Sequence, residues 1–259
     1  MASNHTDDLR LAHLLADDAD SLTTDRFRAR DLRVDEKDDA SVVSDADTAV
    51  EEAVRRTLGR ARPRDAIQGE ELGSAGWGPR RWIVDPIDAT ANFVRGVPVW
   101  ATLIALAVED EIVVGVVSAP ALGRRWWASL GDGAYAGKSL RNATECQVSS
   151  TERLSEAFLS YSSVAGWEKR GVGFGQLLET CDRTRAFGDF WSYMLLAEGA
   201  VDVATEPELA LHDMAALSVI VQEAGGRFTG LDGTPGPFGT NALATNGRLH
   251  QQVLDLIGD

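Results

Sequence analysis

The run Trp82-Ile83-Val84-Asp85-Pro86-Ile87-Asp88-Ala89-Thr90-Ala91-Asn92-Phe93 ends an apolar strand on two acids flanking a proline and then starts a helix. Pro86 has no N–H and restrains the backbone, so the strand cannot simply continue, and Asp85 and Asp88 can turn toward one point beyond the sheet edge. Asp88 alone would serve equally well as an N-cap, aided by Thr90. The same helix start offers the backbone donors of Ala89 and Thr90 to an anion. A second acid pair, Gly69-Glu70-Glu71, lies just past the short strand Ala66 to Gln68, and by itself is an exposed turn. A further acid, Asp213, opens the helix His212-Asp213-Met214-Ala215-Ala216, where the helix dipole favours it in any case. If the fold gathers these groups, four carboxylates in one pocket repel strongly without cations. Magnesium is the natural counter-charge. It accepts carboxylates, a carbonyl such as that of Ile87, water and phosphate oxygens, with no demand for His or Cys.

The elements that must position these acids divide into two mixed halves, 1–145 and 146–259. Thr6 or Asp7 caps a helix through about Phe27, with Leu9, Leu11, Ala12, Leu14, Leu15, Ala19 and Leu22 on its apolar face. A polar connector, Arg28 to Val43, follows. Ser44 with Asp47 three residues on forms a capping box for a second helix to about Leu58. Strands are expected at Ala66 to Gln68, Trp82 to Val84, Thr102 to Val108, Ile112 to Ser118 and Arg124 to Ala128, the third and fourth joined as a hairpin. Gly131 to Thr144 reads as a glycine-rich, small-residue stretch. Beyond it, strand and helix alternate: strands near Ala157 to Tyr161, Thr184, Val201 to Thr205, Arg227 to Thr229 and Leu243 to Thr245, and helices at Gly173 to Thr180, Phe190 to Glu198, His212 to Ala224 and Gly247 to Ile257. Gly225 and Gly226 supply a C-cap. No internal repeat is apparent.

Composition narrows the function classes. Forty acidic against twenty-five basic side chains in 259 residues give a net charge of −15, which repels nucleic-acid backbones and anionic membranes. Much of the excess falls in Met1 to Glu52, where solvated helix faces account for it. The longest apolar stretch, Trp100 to Val108, is cut off by Glu109, Asp110 and Glu111, too short to span a bilayer. Met1 to Asp8 has no apolar core of a leader, so a cytoplasmic protein is expected. Cys146 and Cys181, with no CxxC, and four scattered histidines fit neither a disulfide scaffold nor a zinc site. An EF-hand counted from Asp45 would need Gly at position 50 and Glu at 56, where Val50 and Arg56 stand. Gly171-Val172-Gly173-Phe174-Gly175 lacks the strand context of a dinucleotide loop.

Taken together, Gly-Glu-Glu at 69–71, Asp-Pro-Ile-Asp at 85–88 and the acid at 213 resemble the inositol monophosphatase superfamily, Mg²⁺-dependent, lithium-sensitive sugar phosphatases, over nearly the whole chain. Trp82 to Trp100, Val116 to Trp127 and Gly188-Asp189-Phe190 look most like its actinobacterial histidinol-phosphate phosphatase branch. The resemblance implies an α+β fold, a layered α/β/α/β/α sandwich, and hydrolysis of the phosphomonoester of a small metabolite. It implies that Glu70, Asp85 and the Ile87 carbonyl hold one metal and Asp85, Asp88 and Asp213 another, with Glu71 helping a looser third. Two such metals, about 3.5 to 4 Å apart, activate water and stabilise the leaving oxygen, with no covalent nucleophile. Lys37 to Asp47 is similar to the family's upstream motif, where Asp47 pairs with Thr90 to orient the attacking water as general base. The Ala89 and Thr90 N–H groups hold the phosphate. Asp189 and Glu206, with Arg185 and Trp191 as neighbours, correspond to positions facing the alcohol part of the substrate. Acids there suit a substrate that carries an ammonium and an imidazole. Relatives are commonly homodimers.

Three positions depart from the pattern. Ala89 stands for the glycine of Asp-Pro-Ile-Asp-Gly-Thr; if that backbone needs φ > 0, its Cβ costs about 1 to 2 kcal/mol. Ala91 replaces a lysine usual in the histidinol phosphatases, and His212 replaces a tryptophan. These altered walls beside a complete ligand set point to a phosphatase of shifted substrate preference, while histidinol phosphate leads as first substrate by resemblance alone. A shift toward inositol phosphates, nucleoside monophosphates or sugar phosphates stays open, as does a phosphometabolite-binding relative without turnover.

Overall fold

In the computed structural model, residues 5–37 and 42–257 are described. The chain runs α1 (Thr6–Arg26), β1 (Val34–Glu36), β2 (Val42–Ser44), α2 (Asp45–Ala61), β3 (Ala66–Gly69), β4 (Ser74–Ala75), β5 (Arg80–Asp88), α3 (Thr90–Arg95), β6 (Ala101–Val108), β7 (Glu111–Ala119), β8 (Arg124–Ser129), β9 (Ala134–Ser139) and β10 (Asn142–Glu145). It continues through β11 (Phe158–Ser160), α4 (Gly173–Thr180), β12 (Arg183–Arg185), α5 (Asp189–Ala197), β13 (Val203–Glu206), α6 (Leu211–Glu223), β14 (Arg227–Thr229), β15 (Ala242–Thr245) and α7 (His250–Ile257). Two main sheets result, an eight-stranded one in the order β10-β9-β8-β7-β6-β5-β3-β4 and a five-stranded one in the order β12-β11-β13-β15-β14.

Period-2 alternation on β5 explains the layering. Trp82 and Val84 face one way and join Leu11, Leu15, Val50 and Val54 of α1 and α2. Ile83 faces the other way into a core shared by Phe190 and Met194 of α5, Met214 and Ile220 of α6, and Ala204 and Ala244 of the smaller sheet. Leu159, Val203 and Leu243 on that sheet's far face pack against Phe174 and Leu177 of α4 and Val253 and Ile257 of α7. The order is therefore helix, sheet, helix, sheet, helix: an α+β layered sandwich. Gly115 on β7 permits the middle contact, because a Cβ there would lie 2.7 Å from the Ala216 carbonyl of α6. Among the described residues, no helix is long and apolar enough to cross a membrane.

Two stretches depart from expectation. The connector Arg28 to Val43 contains an antiparallel pair, Val34↔Ser44 to Glu36↔Val42. Gly131 to Thr144 holds strands β9 and β10, an edge hairpin laid on β8. A Cβ at Gly137 would sit 2.1 Å from the Asn142 carbonyl, beside the register shift at Asn142/Ala143, so this glycine belongs to a bulged hairpin. Leu14, expected on the apolar face of α1, is exposed, because that face is set by Leu11, Ala12 and Leu15. Smaller differences occur at helix ends. α1 begins at Thr6 with His5 at the N-cap and no side-chain cap, and α7 begins at His250 rather than Gly247.

Candidate metal centre and substrate pocket

Residues i and i+3 of a regular strand point to opposite faces, so Asp85 and Asp88 can meet only if the strand is interrupted. It is. Asp85 pairs with Leu103 and Asp88 with Ala101, leaving one extra residue on β5, a bulge that carries Pro86. The Thr102 hydroxyl donates to the Pro86 carbonyl at 2.7 Å and fixes the bulge against β6. Asp213 arrives from the first turn of α6, where its Oδ2 accepts the Ala210 N–H at 2.7 Å. One oxygen each from Asp85, Asp88 and Asp213 lie within 4.8 Å of one another.

Like charges dominate this cluster. Burial, then Glu70, Asp88 and Asp213, push the Asp85 carboxyl well above the usual range. Asp88 is raised by burial and then by Asp189 and Asp213, against the Phe190 N–H that donates to its Oδ2 at 2.8 Å. Asp213 is also raised by burial, opposed by His212, whose Nε2 lies 3.5 Å from Oδ1. Asp85 is 1 % exposed, and among the described residues its Oδ1 has no hydrogen-bond partner. A hard divalent cation supplies what this oxygen-only donor set lacks, so the residues fit Mg²⁺. The N-cap of α3 is Ala89, leaving Asp88 free of the capping role its sequence context allowed.

Glu70 and Glu71 sit on the turn after β3. Buried Glu51 of α2 holds that turn by accepting the Glu71 N–H at 2.7 Å while pairing with Arg55 at 2.6 Å. Gly69 is required because a Cβ would fall 2.0 Å from the Glu51 carboxylate. Lys37 bridges the two acids, its Nζ 2.8 Å from Glu70 and 2.7 Å from Glu71. Burial works to lower the Lys37 pKa, but the two glutamates outweigh it and raise it. Sequence reasoning gave Lys37 no role of its own, since only the folded β1–β2 pair brings it to the acids. Asp38 to Ser41 of the same motif lie outside the described residues.

Asp47 performs two tasks with one carboxylate. Its Oδ2 accepts the Ser44 N–H at 2.8 Å and the Ser44 hydroxyl at 2.6 Å, the capping box read from sequence. Its Oδ1 lies 3.2 Å from the Thr90 hydroxyl, which also reaches the Ile87 carbonyl at 2.8 Å. Burial raises its pKa to about 6. Ala89 has φ 65° and ψ 46°, so the left-handed backbone that a glycine would favour is present with a methyl attached.

On the far side of Asp88, Glu206 ends β13 and Asp189 opens α5. Glu206 is 5 % exposed, and burial raises it to about 7. Burial, then Asp213, raises Asp189 to about 6. Trp191 is half-buried against Phe187, ring centroids 5.4 Å apart. Arg185 stays exposed and donates to the Thr184 carbonyl, so no contact of its side chain joins it to the acids. Two residues absent from the sequence reading belong here. Ser162 touches both acids, and Tyr193, fully buried, has a hydroxyl without a partner among the described residues and is raised well above its ordinary pKa by burial and then by Glu206. Neither carries a local sequence signal.

Residues 6–257 match the inositol monophosphatase family. The chain belongs to that family. Members of the inositol monophosphatase family are phosphoric monoester hydrolases, and the family's enzymes use Mg²⁺. Among its relatives, the histidinol-phosphatase of Streptomyces coelicolor is 59% identical over 257 residues, covering 97% of each chain. The histidinol-phosphatase of Mycobacterium tuberculosis is 57% identical over 251 residues, covering 96% of each. Extragenic suppressor protein suhB of Bartonella henselae superposes with a TM-score of 0.89 at 28% identity, over 98% of this chain and 99% of that one. These matches account for the layered sandwich and for the resemblance carried by the Gly-Glu-Glu and Asp-Pro-Ile-Asp motifs.

Proposed function

We propose that the chain is a Mg²⁺-dependent histidinol-phosphatase. The observation that carries this reading is the convergence of Asp85, Asp88 and Asp213, beside the Asp47–Thr90 pair on one side and half-buried Asp189 and buried Glu206 on the other. Support for the substrate comes from the histidinol-phosphatases at 57% and 59% identity.

In this reading Glu70, Asp85, the Ile87 carbonyl, Asp88 and Asp213 hold two Mg²⁺ ions, and Glu71 serves a third, weaker site. When bound, the metal supplies Lewis acidity toward the phosphate and lowers the pKa of water. Thr90 and Asp47 receive the proton of the attacking water, the threonine relaying it to a carboxylate whose pKa near 6 suits a base at neutral pH. The N–H groups of Ala89 and Thr90 hold the phosphate oxygens. Asp189 and Glu206 face the leaving alcohol, with Trp191 and Arg185 at its edge. A homodimer in the cytoplasm completes the proposal, and light scattering checks the oligomeric state.

Phosphate release from histidinol phosphate, inositol 1-phosphate and a nucleoside monophosphate, measured across a Mg²⁺ titration and with Li⁺, tests the reading. The expected result is kcat/KM at least about tenfold higher for histidinol phosphate, a gap of about 1.4 kcal/mol, with inhibition by Li⁺ and no turnover in chelator. Equal or better hydrolysis of another substrate overturns the assignment of substrate. Failure to hydrolyse any of them with Mg²⁺ overturns catalysis.

A further inference from the structure

Three hydrogen bonds, two through its hydroxyl and one through its N–H, converge on Ser162 at the junction of β11, α5 and β13. The Ser162 N–H and hydroxyl both donate to Glu206 Oε1, at 2.6 and 2.7 Å. The hydroxyl oxygen accepts the Asp189 N–H at 2.8 Å. A hydroxyl has one proton, so the direction of the chain is set: Asp189 N–H to Ser162, and Ser162 O–H to Glu206. Asp189 is held at φ 51°, a left-handed conformation unfavourable for a residue with a Cβ, and follows Gly188 at φ 82°. The Ser192 hydroxyl, which accepts the Gly188 N–H at 3.1 Å and meets Ser160 at 2.7 Å, braces the same turn.

The outward-facing parts of the two acids are left over. Glu206 Oε1 takes both Ser162 donors, whereas among the described residues neither Glu206 Oε2 nor the Asp189 carboxylate accepts a hydrogen bond, and neither acid pairs with a Lys, Arg or His. Other buried acids are satisfied in one of two ways, by arginine, as Glu51 is by Arg55 and Asp8 by Arg62 and Arg80, or by several neutral donors on both oxygens, as Asp47 and Asp202 are. A carboxylate that is nearly buried and unpaired is costly, and a neutral hydroxyl ligand would donate a hydrogen bond without removing the charge. An ammonium does both. Phe187 and Trp191, side by side on the turn that carries Asp189, add aromatic faces to which a cation is also attracted.

We infer that Ser162 is a positioning residue that sets Asp189 and Glu206 as a paired receptor for the ammonium group of an amino-alcohol phosphate. The inference rests on the phosphatase reading above and specifies how that site selects its leaving group.

Its test is a matched pair of substrates that differ in the ammonium alone, phosphoethanolamine and n-propyl phosphate, assayed with Mg²⁺ on wild type, Ser162→Ala and Ser162→Thr. Wild type is expected to prefer phosphoethanolamine. The ratio of the two kcat/KM values should fall about tenfold or more in Ser162→Ala, through KM, and stay within about twofold in Ser162→Thr, which keeps the donor. If Ser162→Ala melts too low to assay, Ser162→Cys, nearly isosteric and a weak donor, replaces it with the same expected fall. A purely structural serine would change both substrates alike. An unchanged ratio in Ser162→Ala, equal losses in the Ala and Thr variants, or no preference in wild type overturns the inference. Wild type that prefers phosphoethanolamine but leaves histidinol phosphate intact refutes the histidinol assignment while the inference stands.

Discussion

Two buried clusters of charge lie on opposite faces of the large sheet and are built by opposite rules. Between α1 and β8, Arg125 reaches Asp20 at 2.7 Å, Asp17 at 2.8 Å, the Ser118 hydroxyl at 2.9 Å and His13 Nδ1 at 3.2 Å. The guanidinium donates to Nδ1, so His13 is neutral, and burial, then Arg125, lowers its pKa to about 4. That cluster carries its own cation. Across the sheet, Asp85, Asp88 and Asp213 face one another with only acids as nearest charged company apart from His212 and Lys37. The first arrangement is complete as a folded protein, and the second is complete only when a cation joins it. Perturbed carboxylates are common to both; what marks a functional site is the missing opposite charge.

The comparison breaks most sharply under paired substitutions. Asp85→Asn should reduce phosphatase activity on the order of a thousand-fold, the size of effect expected when a charge is lost from a water-poor catalytic site. In chelator it should melt no lower than wild type, because it relieves repulsion. Arg125→Ala should do the reverse, losing about 3–5 kcal/mol by stranding Asp20, with activity retained in the molecules that stay folded. Melting curves and kcat on the same preparations check both; a large destabilisation by Asp85→Asn in chelator would remove the distinction.

Next in size is the response to Mg²⁺. At a hundredfold excess over its Kd, a ligand specific for the folded state adds about 2.7 kcal/mol, worth roughly 5–10 °C of Tm in a protein of this length. Asp213→Asn should abolish that gain and Arg125→Ala should preserve it.

The pH dependence separates the acids of the candidate site from the buried histidines by sign. Asp47, Asp189 and Glu206 have pKa values raised to about 6, 6 and 7 from 3.8, 3.8 and 4.5. Unfolded carboxylates ionise first as pH rises, so metal-free protein should lose stability from about pH 4 to 7 and then level off. His13 and His250, lowered to about 4 from 6.5, work the other way, because the unfolded imidazoles take up protons first as pH falls from 6.5 to 4. Glu206→Gln in chelator should flatten the loss between pH 4.5 and 7; an unchanged Tm slope there would contradict the raised value. The smallest expected effect is at Ala89, whose left-handed backbone predicts that Ala89→Gly adds about 1 kcal/mol, read as a rise of roughly 2–4 °C in Tm.

The acids of the metal centre were legible because Pro86 marks the end of an apolar strand and the Ser44–Asp47 capping box is a local pattern. What drew Asp85 and Asp88 to one side, a one-residue bulge opposite Thr102, depends on pairing with β6 and leaves no trace beyond the proline. Nothing local to Glu206, with Pro207 after it, marks it as buried, yet Ser162, forty-four residues earlier, donates to it. The β9–β10 hairpin was hidden by glycines whose reason is the close approach of Asn142 to Gly137. Local signals reveal caps and strand ends; the bridging roles of Lys37 and Ser162 arise only from tertiary contact.

Anomalous diffraction from a crystal soaked in Mn²⁺ tests the central claim most directly. The account predicts strong peaks in contact with Asp85, one shared with Asp88 and Asp213 and another toward Glu70 and the Ile87 carbonyl. Density showing no ion between Asp85, Asp88 and Asp213 at saturating Mn²⁺ would contradict it.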